Sequence, residues 1–117
     1  MDAKSIAIRH LNSRGRGYTT YRKVPAQAPE RFRVVMRVGG SRSGLVVERP
    51  MLSVYCYGKT DRDCELMAEE TCEDLESLIF EEDNVFAVNI VTADVEDDDL
   101  ERGLPRHQVV VEITGNN

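Results

Sequence analysis

Gly58-Lys59-Thr60 is a segment whose residue types could do chemistry. A phosphate-cradling loop ends in glycine, lysine and a hydroxyl at the opening of a helix. The full pattern also needs a glycine at position 53, where Ser53 stands. Tyr55, Cys56 and Tyr57 are bulky where bare backbone must wrap phosphates, so the expectation is a strand-to-helix turn capped by Thr60. Cys56, Cys64 and Cys72 are spaced by eight. Eight helical residues rise about 12 Å, so Cys64 and Cys72 cannot share a metal or a disulfide. Cys56 could approach one of them, but small buried hydrophobes are the expected role of all three. Asp94, Glu96, Asp97, Asp98, Asp99 and Glu101 could attract Mg²⁺ or Ca²⁺. An EF-hand loop requires glycine at the sixth place, which Asp99 occupies here, so a solvated acidic loop is expected. His10 and His107 are the only histidines, and neither lies in a nucleophile or metal signature. No catalytic residue, metal site or cofactor is expected, and the chain does not read as an enzyme.

These residues must be placed by secondary structure. Ala3–Leu11 has helical spacing and ends at Asn12–Gly17. Tyr18–Lys23 reads as a short strand, and Val24–Pro29 as a linker. Arg31–Val38 alternates strictly: Phe32, Val34, Met36 and Val38 are expected inward, and Arg31, Arg33, Val35 and Arg37 outward. With Arg42 in a Gly39–Gly44 hairpin loop, those arginines form a basic stripe. It lacks the interleaved aromatics that stack bases and suits an acidic protein partner at least as well as nucleic acid. Leu45–Glu48 starts the return strand, which Pro50 marks as an edge or bent segment. Met51–Tyr57 continues with Leu52, Val54 and Cys56 on one face.

Thr60 caps a helix to about Phe80, with Asp63 reaching back to complete a short capping box. Its apolar stripe is Cys64, Met67, Ala68, Thr71, Cys72, Leu75, Leu78 and Ile79. Glu65, Glu69, Glu70, Glu73 and Glu76 make the other face acidic. Val85–Thr92 is a strand with Phe86, Val88 and Ile90 on one face; Asp94–Arg106 is an acidic loop. His107–Thr114 is the last strand, with Val109, Val111 and Ile113 inward. The pattern is α+β: an antiparallel sheet with one long helix packed on one face and a short N-terminal helix, in a single domain over residues 1–117.

A chain of 117 residues suits one domain that buries about two-thirds of its unfolded surface. No apolar run approaches the ~20 residues of a membrane span, and Met1–His10 lacks a signal-peptide layout. Three cysteines cannot all pair within one chain, which favours reduced thiols. The net charge of −6 is polarised: residues 1–60 carry +9 and residues 61–117 carry −15. The halves could neutralise each other inside the fold, drive head-to-tail self-association, or leave a basic nucleic-acid site.

Phe32–Gly40, Val47–Val54 and Gly103–Val111 carry a resemblance. Arg37-Val38-Gly39-Gly40 is similar to an "R-x-G-G" turn. Glu48-Arg49-Pro50-Met51-Leu52-Ser53-Val54 is similar to a "[DE]-R-P-x-L-x-V" strand, and Gly103-Leu104-Pro105-Arg106-His107 to a "G-x-P-R-[YH]" lead into a last strand. With the long helix between them, residues 32–117 resemble the tail terminator proteins of long-tailed, siphovirus-type phages, especially those infecting actinobacteria. The helix is more acidic than in that family and carries cysteines. The acid run before Gly103 stands where the family often has a Pro-Asp-Pro turn.

The resemblance implies a virion structural protein without catalysis or cofactor. It implies a homo-oligomeric, usually hexameric, ring at the head-proximal end of the tail. Such a ring, assembled in the host cytoplasm, ends tube polymerisation and contacts tail tube protein and head connector or neck protein, with DNA passing through its lumen and no membrane. Another neck ring component, or less favourably a small nucleic-acid-binding protein, is the alternative. In a ring, Arg31, Arg33, Arg37 and Arg42 are expected to meet Glu69, Glu73, Glu76 or Asp97–Asp99 of a neighbour. Asp94, Glu96, Asp97, Asp98, Asp99 and Glu101 are expected to line the lumen.

Overall fold

Leu52, Val54 and Cys56 alternate with Ser53, Tyr55 and Tyr57, and this alternation lies at the centre of a five-stranded sheet. The computed structural model describes residues 1–43 and 46–116. Helix α1 is Ala3–Ser13, followed by strands β1 (Thr19–Tyr21), β2 (Phe32–Ser43) and β3 (Val47–Tyr57). Helix α2 is Asp61–Glu76 and runs into a 3-10 turn over Ser77–Phe80; β4 (Val85–Glu96) and β5 (Arg106–Asn116) complete the chain. The strand order is β1-β2-β3-β5-β4, with β1 parallel to β2 and every other pair antiparallel. The expected α+β architecture is therefore present.

The register places Val35 beside Val54, and Val54 beside Val109, with Leu52 beside Val111. Together with Cys56 and Ile113 they form one apolar sheet face. Met67, Ala68, Leu75 and Leu78 pack on it from α2 and its 3-10 turn, and Ala3, Ala7 and Leu11 from α1. Each fully buried Leu, Val or Ile there contributes roughly 1.5–3 kcal/mol of transfer free energy. A smaller cluster occupies the opposite face at one end. Phe32 stacks on Tyr57 at 4.3 Å, beside Val34, with Tyr21, Val24, Tyr55 and Leu104 around them.

Strand β2 departs from the alternation expected of it. Phe32 and Val34 are buried, but so are Arg33 and Val35, because both faces of this strand are covered at its start. Met36 and Val38, expected inward, are nearly half exposed where the strand leaves the core. Gly39–Ser43, expected in a loop, continues the strand, with a register shift between Arg37 and Gly39; Gly44 and Leu45 lie outside the described residues. Pro50 is buried in a central strand and not at an edge. It pairs with Gly40, and the β3–β5 register has no partner for Arg49 or Pro50 before resuming at Met51 and Glu112. That gap accommodates a residue without an N–H. Gly40 is required there: its φ is +120°, and a Cβ would lie 2.4 Å from the Arg49 carbonyl oxygen.

Thr60 caps α2 by accepting from the Asp63 amide at 3.1 Å. Asp63 reaches back to the Lys59 amide at 2.9 Å, which secures the turn one residue before the cap. Strand β4 also differs from expectation. A register shift between Val85 and Ala87 turns Phe86 outward, 55% exposed, while Val88 and Ile90 pack on the core. The strand extends to Glu96, so the acidic segment begins inside it. Ile79 is exposed because the helix tightens into a 3-10 turn before reaching it. No helix among the described residues is long and apolar enough to cross a membrane.

Candidate functional site

Arg33 of β2 shares the core-facing side of its strand with Val35, and Asp74 interrupts the apolar face of α2. Both are fully buried, and Arg33 Nη1 lies 3.4 Å from Asp74 Oδ2. The guanidinium also donates to Thr20 Oγ1 and Thr71 Oγ1, each at 3.0 Å, and to the Leu11 carbonyl at 3.2 Å. Tyr18 lies under it at 4.8 Å. Arg16 and Arg14 close on Asp74 from outside, with Arg16 Nη2 at 2.8 Å from Oδ1. Asp74 thereby holds the Arg16 guanidinium charged beyond its ordinary range. The expectation that Arg33 belongs to a surface stripe is overturned: its side chain is fully buried and its charge is neutralised within the chain.

The remaining members of that stripe are dispersed. Arg31 pairs with Asp63 at 2.6 Å, and Arg42 with Glu48 at 3.8 Å. Arg37 is exposed and donates to the Gly39 carbonyl. Among the acidic candidates, Glu73 pairs with Arg16 at 3.2 Å, and Glu69 and Glu76 are exposed. Arg9–Glu82 and Arg16–Glu70 are further pairs between the basic and acidic parts of the chain. Much of the sequence polarity is thus neutralised by intrachain contact.

The acidic segment is organised by three basic side chains. Arg106 takes the Asp97 carboxylate at 3.1 Å and its carbonyl at 2.7 Å, and its guanidinium lies over Tyr55 at 4.4 Å. Asp99 is buried, accepting from Tyr57 at 2.8 Å and Arg102 at 3.0 Å. Burial opposes its charge, but these hydrogen bonds outweigh that and lower its pKa. Asp99 therefore braces its own loop and is not available to line a lumen. Asp98 accepts from the Arg106 amide, and Glu101 is exposed.

Asp94 and Glu96 gather at His107. His107 Nδ1 lies 2.5 Å from Asp94 Oδ1, and Nε2 lies 2.7 Å from Asp61 Oδ1. Burial disfavours the imidazolium, but the two carboxylates win and raise its pKa. The hydrogen bond from His107 lowers the Asp61 pKa, while contact with Asp61 raises that of Glu96. Sequence reasoning missed this cluster, because residues 61, 96 and 107 meet only through the β4–β5 register and the start of α2.

The three cysteines are free thiols. Cys56 lies 3.4 Å from Thr71 Oγ1, and Cys64 Sγ accepts from the Gly58 amide at 3.1 Å. Cys72 donates to the Ala93 carbonyl. Gly58-Lys59 is a short turn after a strand that runs to Tyr57, so Tyr55–Tyr57 wraps no phosphate.

Two surface features remain. A cavity of about 470 Å³ is ringed by Lys4, Arg22, Lys23, Arg102 and Arg106 over Tyr55 and Tyr57, with no carboxylate in its lining among the described residues. At the end of the 3-10 turn, Phe80 is 81% exposed and is followed by Glu81, Glu82 and Asp83. Glu82 is held by Arg9, and Glu81 and Asp83 face solvent. No protein-family model matches the chain, and a comparison with curated protein sequences finds no match.

Proposed function

We propose that the chain is the structural subunit of a ring, of the tail-terminator kind its sequence resembles. The observation that supports this is a complementarity between two different places on one subunit. Phe80 is an aromatic anchor set among acids, and the cavity over Tyr55 and Tyr57 is an apolar floor set among cations. Buried aromatic anchors dominate interface energies, and opposite fields steer the encounter. In the contact, Phe80 of one copy enters the cavity of the next, while Glu81 and Asp83 meet Lys4, Arg22 and Lys23. Such a heterologous contact leaves one copy with a free Phe80 patch and the other with a free cavity, so it repeats from copy to copy, and in this reading the rotation between copies closes a ring.

In this reading the ring is hexameric and sits at the head-proximal end of a phage tail. It ends tube growth, joins tube protein to the head connector, and lets DNA pass. Edge strand β4, with Val91 and Val95 nearly half exposed, adds a second surface for a neighbour. A neck ring of the same particle would use the same contact, and labelling within a virion separates the two.

The test is native mass over a concentration series at low and moderate salt, with imaging of the particles. Six copies of 13.2 kDa give about 79 kDa. A discrete ring of that mass that dissociates with salt is expected. Phe80→Ser should leave a folded monomer. Charge reversal at Arg22 and Lys23 should also give monomers, and should be rescued by Glu81→Lys with Asp83→Lys. A monomer at every concentration overturns the ring. A ring unaffected by Phe80→Ser overturns only the contact.

A further inference from the structure

We propose that Asp61, Glu96 and His107 form a binding site for one divalent transition-metal ion of the zinc or manganese class. The donors come from three elements: the first residue of α2, the last of β4 and the second of β5. Glu96 and His107 are direct partners in the β4–β5 ladder, and α2 begins above them. One ligand atom from each lies within 4.8 Å of the other two. The Nε2–Oδ1 separation between His107 and Asp61 is 2.7 Å. Two neighbouring donors each about 2.1 Å from a common ion sit roughly 3 Å apart, so little movement admits the metal.

The histidine distinguishes this group from a patch of surface acids. Its side chain is buried, with 4% exposed, and its two nitrogens have different tasks. Nδ1 is held by Asp94, which is not among the three donors. A carboxylate on the far nitrogen is the arrangement that keeps a proton on Nδ1, and an incoming metal displaces the proton that Nε2 shares with Asp61 Oδ1, which frees the Nε2 lone pair for coordination. Among the described residues Asp61 is the one hydrogen-bond partner of Nε2, and no backbone carbonyl competes for it. Asp61 and Glu96 are exposed on the outer side, so water can complete the coordination. One imidazole with two carboxylates balances a 2+ charge. The nitrogen favours zinc over magnesium or calcium, which prefer oxygen alone, and the two carboxylates also suit manganese. The ion would tie the start of α2 to the end of edge strand β4.

The test is titration calorimetry and native mass spectrometry on the full chain, stripped of metal with chelator, using ZnCl₂, MnCl₂ and MgCl₂. One zinc per chain is expected, with Mg²⁺ roughly a hundredfold weaker. Zinc should shift the His107 Nε2 resonance in nitrogen-detected NMR. Glu96→Gln and Asp61→Asn alter exposed side chains, so they should fold and weaken zinc at least tenfold. Asp94→Asn should weaken it roughly 10–100-fold by releasing the ring. Cys72→Ser should change nothing. Absence of zinc binding overturns the site, as does binding undiminished in Glu96→Gln and Asp61→Asn or lost in Cys72→Ser.

Discussion

Arg33 and Asp74 face each other across the core, Nη1 to Oδ2 at 3.4 Å, with neither side chain exposed. One comes from the basic half of the sequence and the other from the acidic half, so their pairing fastens β2 to α2. Removing one partner of a buried pair leaves an uncompensated charge. Asp74→Asn should therefore cost about 3 kcal/mol or more. The expected fall in Tm is roughly 10–15 °C. Arg33→Glu should prevent folding, whereas Arg37→Glu, at an exposed position, should change stability by less than about 0.5 kcal/mol. Thermal unfolding followed by circular dichroism decides; equal effects at 33 and 37 would refute the burial of Arg33.

Asp99 gives an acid dependence. Its folded pKa lies below the ordinary carboxylate value, so its contribution is present above about pH 4 and is lost as pH falls through the folded pKa. Asp99→Asn should lower Tm at pH 7, and the gap to wild type should narrow in acid. A gap that widens below pH 4 would contradict the assignment.

The thiols should be slow. Burial pushes Cys56 up to about 12 and both Cys64 and Cys72 up to about 11, so little thiolate exists near neutrality. Alkylation with iodoacetamide at pH 7.5 should modify all three in urea and leave the native chain largely unmodified. Rapid native labelling of Cys72, the one partly exposed thiol, would show its environment to be misjudged.

The cap on α2 should be measurable. Thr60→Ala removes the acceptor for the Asp63 amide and should cost roughly 1 kcal/mol, while Thr60→Ser should cost much less. Denaturant midpoints compare the two; an equal loss in both would assign the effect to the methyl group.

Much of this protein was legible locally. The period-2 runs Leu52-Val54-Cys56 and Val109-Val111-Ile113, the cap at Thr60 and the stripe from Cys64 to Leu78 marked the sheet, the helix and its buried face. Periodicity is a property of neighbouring residues, so it needs no partner to be read. The polar interior was only half legible. Asp74 falls on the inward stripe of α2, and that charge at an inward position was the available signal; Arg33 lies on the β2 face that the alternation marked outward, and only the packing of the helices buries it. Taking every strand arginine as solvent-facing concealed the pair.

The sequence by itself determined the order of helices and strands, though not the run of β2 through Ser43 or of β4 to Glu96, and that opposite charges separate along the chain. Only the tertiary structure decided which charges meet. Packing α1 and α2 on one sheet face brought Arg33, Arg16 and Arg14 to Asp74, and the β4–β5 register brought Glu96 to His107 beneath Asp61. The physical reason is that a buried charge must find its counter-charge through space. Spacing along the chain does not encode that distance.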